Sequence, residues 1–144
     1  MTDEQLKIRN NTRLSELYPP FAKHIEEVLK ELTNKGWRPR IQCAYRSPEE
    51  QLAAYRAGRS SLKWGLHNAN KNGKPEALAA DIVNDNNPYN EPVKFYTDLD
   101  MAARGQGLMT GIVWKNPYDP WHVQPKGMNS AKILAAKMGW RPRF

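Results

Sequence analysis

Two of the chain's three histidines lie in two short segments, one of which also carries an aspartate. They are Trp64-Gly65-Leu66-His67 and Asp119-Pro120-Trp121-His122. Between them, Ala77-Leu78-Ala79-Ala80-Asp81-Ile82-Val83 sets one carboxylate inside an apolar run. An ionised carboxylate there is costly unless it is paired, hydrogen-bonded or bound to metal. His67, Asp81 and His122 can supply three protein ligands to a zinc ion and leave a fourth position open for water. Asp119 can supply a general base. Pro120 biases it to an extended backbone, so the turn can hold its carboxylate beside the water while His122 binds metal. Zinc lowers the pKa of such a water to about 7, and the carboxylate takes the proton as the water attacks a carbonyl. Two imidazoles and a carboxylate also suit non-haem iron, so ligand type alone leaves the metal open.

The other candidates are weaker. His24 sits between Lys23 and Ile25 in a helical pattern and reads as a surface or packing residue. Cys43 is the only cysteine, which excludes an internal disulfide and a multi-cysteine zinc knuckle. It alternates with apolar neighbours in Arg40–Tyr45 and reads as a buried strand thiol, not a nucleophile.

The elements that must position these groups follow from periodicity and punctuation. Residues 1–12 read as a polar arm. A short turn near Leu14–Leu17 precedes a helix from about Pro20 to Lys35, because Pro19-Pro20 cannot lie inside a helix and Gly36 stops it. Trp37, Pro39, Ile41, Cys43 and Tyr45 alternate with polar residues and predict a strand. Ser47-Pro48-Glu49-Glu50 carries a capping box and a proline at the first helical position, and the helix it opens ends near Gly58. Arg46 therefore falls at a strand–helix joint, where a cation can face a cleft. Arg59–Pro75 reads as a long loop holding His67, a kind of segment that tends to carry binding or catalytic groups. A strand over 77–83 follows, then a turn-rich segment from Asn84 to Asn90. Asp85-Asn86-Asn87 lacks the glycine and terminal glutamate of a calcium loop. A helix begins at Asn90-Glu91-Pro92, with Phe95, Tyr96, Leu99, Ala102 and Ala103 on its buried side. Strands at Leu108–Trp114 and Trp121–Gln124 flank the turn at 116–120. Asn129-Ser130 caps a terminal helix closed by Gly139. The mixture predicts one α+β domain over 1–144, a small antiparallel sheet flanked by helices.

Composition limits the function classes. The chain of 144 residues carries a formal net charge of +7. From Gln124 onward Lys126, Lys132, Lys137, Arg141 and Arg143 have no acidic counterpart. A basic surface favours polyanions such as nucleic acid, an anionic membrane or the bacterial envelope. No recognition-helix, RNP or OB signature accompanies it, so a nucleic-acid partner is not expected. No apolar run is long enough to span a bilayer, and the polar first residues show no secretory signal.

The motifs resemble the LAS group of zinc peptidases, which includes lysostaphin-like enzymes, D-Ala-D-Ala peptidases and the hedgehog fold. The family's Ser-x-His, Gly-x-Ala-x-Asp and acidic residue before a Trp-His pair become here Gly65-Leu66-His67, Ala77-Leu78-Ala79-Ala80-Asp81 and Asp119-Pro120-Trp121-His122. Ala44-Tyr45-Arg46-Ser47-Pro48-Glu49-Glu50-Gln51 is similar to its substrate-side segment. The resemblance covers roughly residues 20–125 and is nearest to single-domain phage endolysins that cut the L-alanyl-D-glutamate bond of peptidoglycan. It implies Zn2+ on His67, Asp81 and His122, Asp119 as the base, and Arg46 and Gln51 on the substrate. It also implies a monomer made in the host cytoplasm without a signal peptide, which acts on stem peptides of the cell wall once the membrane is permeable and is drawn to the anionic envelope by its charge. Gly65 and Ala77 depart from the family's Ser and Gly, and Asn68–Glu76 reads as an insertion that can reshape substrate access. A D-Ala-D-Ala carboxypeptidase or dipeptidase, a metal nuclease and a non-enzymatic wall-binding module remain alternatives. The nuclease reading lacks a His-Asn-His spacing, and a pure binder needs no base at Asp119.

Overall fold

The computed structural model describes residues 1–59 and 65–128. The expected terminal helix at 129–139, with most of the basic C-terminal segment, lies outside the described residues, as does Trp64. The order is α1 (Asp3–Leu14), α2 (Pro19–Asn34), β1 (Pro39–Cys43), α3 (Pro48–Arg56), a single 3-10 turn at Leu66–Asn68, β2 (Asn70–Lys71), β3 (Lys74–Pro75), β4 (Ala80–Asn84), α4 (Val93–Gly105), β5 (Leu108–Gly111) and β6 (Asp119–Pro125). Four strands pair antiparallel in the order β1-β4-β6-β5, and β2 and β3 form a separate hairpin. The fold is α+β with a small antiparallel sheet.

Alternation along the strands divides the sheet into two faces. Ile41, Ile82, Leu108 and Val123 point into a core closed by Phe21, Ile25, Val28 and Leu32 of α2 and by Phe95, Leu99 and Ala102 of α4. Asp81 and His122 alternate with Ile82 and Val123 and so take the opposite face. A second apolar cluster of Leu66, Ala69, Leu78 and Ala79 anchors the turn that carries His67.

Four expectations change. Residues 1–12 are not an arm: Thr2 caps α1 and forms a capping box with Gln5, with Asp3 and Glu4 in the first turn. The helix buries no residue, so it lacks the apolar stripe that would have revealed it. Polar side chains attach it to the outer edge of β1. Asn10 Nδ2 donates to Pro39 O at 3.0 Å and Asn10 Oδ1 accepts from Ile41 N at 2.9 Å. Arg9 donates to the carbonyls of Ile41 and Gln42. These side chains take the place of a missing strand partner. Secondly, the long loop contains the β2–β3 hairpin. Asn72 and Gly73 both have positive φ, 53° and 83°, as a two-residue hairpin turn requires. Thirdly, the strand expected over 77–83 is narrowed to Ala80–Asn84, while the last strand is longer than expected and begins at Asp119 itself. Fourthly, Cys43 is only partly buried. The register of β1 against β4 shifts between Ile41 and Cys43, and Ala44 takes the fully buried position.

Candidate metal centre and substrate cleft

Asp81 on β4 and His122 on β6 are directly paired across the sheet. His67 reaches the same point from the 3-10 turn. Asp81 Oδ1 lies 3.4 Å from His67 Nε2 and 3.4 Å from His122 Nδ1. The two imidazoles stand 5.3 Å apart, inclined at 76°. Donor atoms of Asp81, Asp119 and His122 lie within 4.8 Å of one another, and so do those of Cys43, His67 and Asp81. The structure thus gathers His67, Asp81, Asp119 and His122, and adds Cys43 at the margin. His24 is elsewhere, with Nδ1 3.0 Å from Gln106 Oε1.

Hydrogen bonds decide which imidazole nitrogens face inward. His67 Nδ1 is 2.7 Å from the carbonyl of Ala44, an acceptor only, so that nitrogen donates its proton there and Nε2 is the nitrogen that faces Asp81. Asp81 Oδ1 is buried and has no hydrogen-bond partner among the described residues. A buried carboxylate oxygen without a donor, with two imidazole nitrogens turned toward it, fits a cation. Two nitrogens with carboxylate oxygens suit zinc, and the same atoms would hold it: His67 Nε2, His122 Nδ1 and Asp81 Oδ1.

The electrostatics agree with that fit. Burial pushes the His67 imidazole toward neutrality, but the charge and contact of Asp81 outweigh it and hold the ring well above its usual value. Burial pushes Asp81 up, and His67 and His122 pull it far below the ordinary carboxylate range. Asp119 moves the other way. Burial and the neighbouring Asp81 charge push its carboxyl up, against His122 and His67. Two carboxylates held apart in acidity are what a ligand-plus-base division needs.

The cluster forms the floor of a cleft of about 380 Å³. Arg46, Gln51 and Arg59 line one part of it, and Tyr89, Trp114 and Tyr118 another. Arg46 Nη1 donates to Gln51 Oε1 at 2.9 Å, and Gln51 is 2% exposed. The structure therefore places Gln51 behind Arg46, orienting the guanidinium. Asn68 holds this wall together. Its Nδ2 donates to Arg46 O at 2.6 Å, its Oδ1 accepts from Gly65 N at 2.8 Å, and Arg46 N donates to His67 O at 2.9 Å. α3 begins as expected, with Ser47 capping and Glu50 completing the box, so Arg46 sits at the strand–helix joint.

Several site residues escaped the sequence reading. Trp114 packs on His122 with ring centres 5.2 Å apart. Tyr89 holds φ at 62°, a rare conformation for a bulky residue, with its ring 5.1 Å from Trp121. Gln124 Oε1 lies 2.8 Å from His122 Nε2. Period-two spacing from His122 was a usable signal for Gln124; nothing local marked Tyr89 or Trp114.

No family model and no curated protein matches the sequence. Solved structures do match in fold. The L-Ala D-Glu endopeptidase ChiX of Serratia marcescens aligns with 82% of this chain and 86% of its own at a TM-score of 0.60 and 21% identity. The LD-carboxypeptidase LdcB aligns with 86% of this chain and 72% of its own at 0.55 and 15% identity. DacB, an L,D-carboxypeptidase of Streptococcus pneumoniae, aligns with 86% of this chain and 73% of its own at 0.52 and 16% identity. The fold is shared with these peptidoglycan peptidases, as the motifs led one to expect.

Proposed function

We propose that this chain is a peptidoglycan hydrolase, a zinc-dependent endopeptidase that cuts between L-Ala and D-Glu of stem peptides, with the role of a phage endolysin. The observation that carries the reading is the unpartnered Asp81 oxygen between two inward-facing imidazole nitrogens, with Asp119 beside it on the floor of a cleft. The likeness in fold to an L-Ala D-Glu endopeptidase supports the choice of bond. His67, Asp81 and His122 hold the metal. Zinc, when bound, supplies a Lewis acid and an acidified water. Asp119 accepts a proton from the attacking water and returns it to the leaving amine; its raised pKa suits both transfers. Arg46, oriented by Gln51, receives a carboxylate or the scissile carbonyl of the peptide, where a planar fork of donors is effective. The aromatic groups exclude water around the peptide. Net positive charge draws the protein to the anionic envelope.

Mass spectrometry of muropeptides released from purified sacculi tests the reading. Stem peptides opened between L-Ala and D-Glu are expected, with glycan strands intact. New reducing sugar ends would refute it. A second reading, a carboxypeptidase, is favoured by the fold likeness to LdcB and DacB. In that case terminal D-Ala is the only product released.

A further inference from the structure

A neutral imidazole carries its proton on one nitrogen or the other, and only the bare nitrogen can bind a metal. The two histidines of this site settle that choice by different means. For His67 a backbone carbonyl does it, and no side-chain substitution removes that carbonyl. For His122 the acceptor is a side chain. Gln124 lies two residues further along β6 on the same face, buried to 8% exposure, with Oε1 2.8 Å from His122 Nε2. The other end of its amide, Nε2, faces Met109 Sδ at 4.0 Å, and Met109 is the residue paired with Gln124 across β5 and β6. Sulfur accepts a hydrogen bond and does not donate one here. The amide therefore turns its NH2 to the sulfur and its oxygen to the histidine.

We propose that Gln124 is a positioning residue that keeps the proton of His122 on Nε2 and so presents Nδ1 to the metal; this rests on the metal-centre reading above. Trp114 already packs on the His122 ring, so the ring plane has a separate support and the amide's own contribution is the choice of tautomer. A neutral amide makes that choice without adding a third carboxylate beside Asp81 and Asp119.

Two variants and two measurements test this. Gln124→Leu removes the acceptor at similar size, and Gln124→Glu keeps it. Imidazole 15N shifts of the zinc-free protein should show His122 protonated at Nε2 in the wild type and in a mixture of tautomers in Gln124→Leu. Competition with a chromophoric chelator should show zinc bound about 10–100-fold more weakly by Gln124→Leu. Gln124→Glu should restore wild-type affinity or exceed it. Unchanged zinc affinity in Gln124→Leu would overturn the proposal, as would equal weakness in both variants or a wild-type His122 protonated at Nδ1. Should the wild type bind no zinc at all, the metal-centre reading fails, and the tautomer measurement still decides whether Gln124 sets the ring.

Discussion

Asp81, Asp119 and His122 stand on paired strands, whereas Arg46 and His67 stand on connections and Gln51 stands on the helix that Arg46 leads into. The two halves of the site are held by different forces. In the sheet half, the ladder of β4 against β6 sets the backbone, and Asp81 faces His122 because they are register partners. In the connection half, side-chain hydrogen bonds to the backbone fix the groups, and most of them converge on Asn68 and Arg46. The physical consequence is a division of tolerance. A sheet residue can lose its chemistry and leave its neighbours in place. A connection residue that touches neither metal nor peptide can shift both.

The largest expected effect tests the sheet half. Asp119→Asn keeps the shape of the side chain and removes the proton acceptor. Hydrolysis should fall by about 10²–10⁴-fold, while zinc content and melting temperature hold at wild-type values. Asp81→Ala should differ in kind, losing the zinc. Zinc lost from Asp119→Asn as well would make Asp119 a ligand and merge the two roles.

Gly111 gives the next test, because it shows what happens when the ladder itself is disturbed. The register of β5 against β6 shifts between Thr110 and Gly111, and Gly111 pairs with Asp119. A Cβ at Gly111 would collide with the backbone oxygen of Asp119 and come within 2.6 Å of the Trp114 ring. Gly111→Ala should cost about 1–3 kcal/mol in stability by urea unfolding and displace the base, so that activity falls further than stability explains. A variant with wild-type kinetics would show that the bulge can yield without moving Asp119.

Asn68→Ala probes the connection half. It leaves the buried amide of Gly65 without its partner and takes a donor from the part-buried carbonyl of Arg46, at a cost of about 1–3 kcal/mol, while Ser47 O keeps the amide of Gln51. KM should rise more than kcat falls, because Arg46 is released while His67 keeps Ala44 O as its acceptor. Equal falls in kcat and kcat/KM with unchanged KM would contradict the division.

The same contrast explains what the sequence disclosed. Strand and helix signals placed α2, β1, α3 and α4 closely, because each carries an apolar period or a complete set of caps. The metal-centre candidates were legible as a carboxylate out of place in an apolar run, a histidine in a long loop and a histidine in a short strand three residues after an aspartate. What stayed hidden depends on contacts made across the fold. α1 has no apolar stripe, and its attachment through Arg9 and Asn10 has no local signature beyond the capping box at Thr2. Asn72-Gly73 was readable as a hairpin turn, but the flanking strands are two residues each, too short to show alternation. Asn68 looked like one polar residue in a polar loop, and only its burial reveals its role.

The smallest effect lies at the far end of β4, away from the chemistry, where the sheet half is itself fastened. Asp85 follows the strand, and its side chain is 3% exposed. Arg40 on β1 donates to it at 2.8 Å, Arg38 approaches to 3.6 Å, and the Met1 ammonium lies at 3.0 Å. Burial pushes the carboxyl up, but the ammonium and Arg40 outweigh burial and hold it below its usual value. A carboxyl whose folded pKa is depressed stabilises the fold at every pH above its unfolded value, about 3.9, and that contribution is lost as pH falls through the folded value. Melting temperature should therefore drop below about pH 4 in the wild type. Asp85→Asn should melt lower at neutral pH and show a shallower drop on acidification. The zinc affinity of Asp85→Asn at neutral pH should match wild type, because β4 and β6 still pair at Asp81 and His122. If acidification lowered both proteins in parallel, the clamp at Asp85 would contribute nothing to the pH dependence. If zinc affinity fell with it, the sheet half would depend on its distant end, and the contrast with the connection half would narrow.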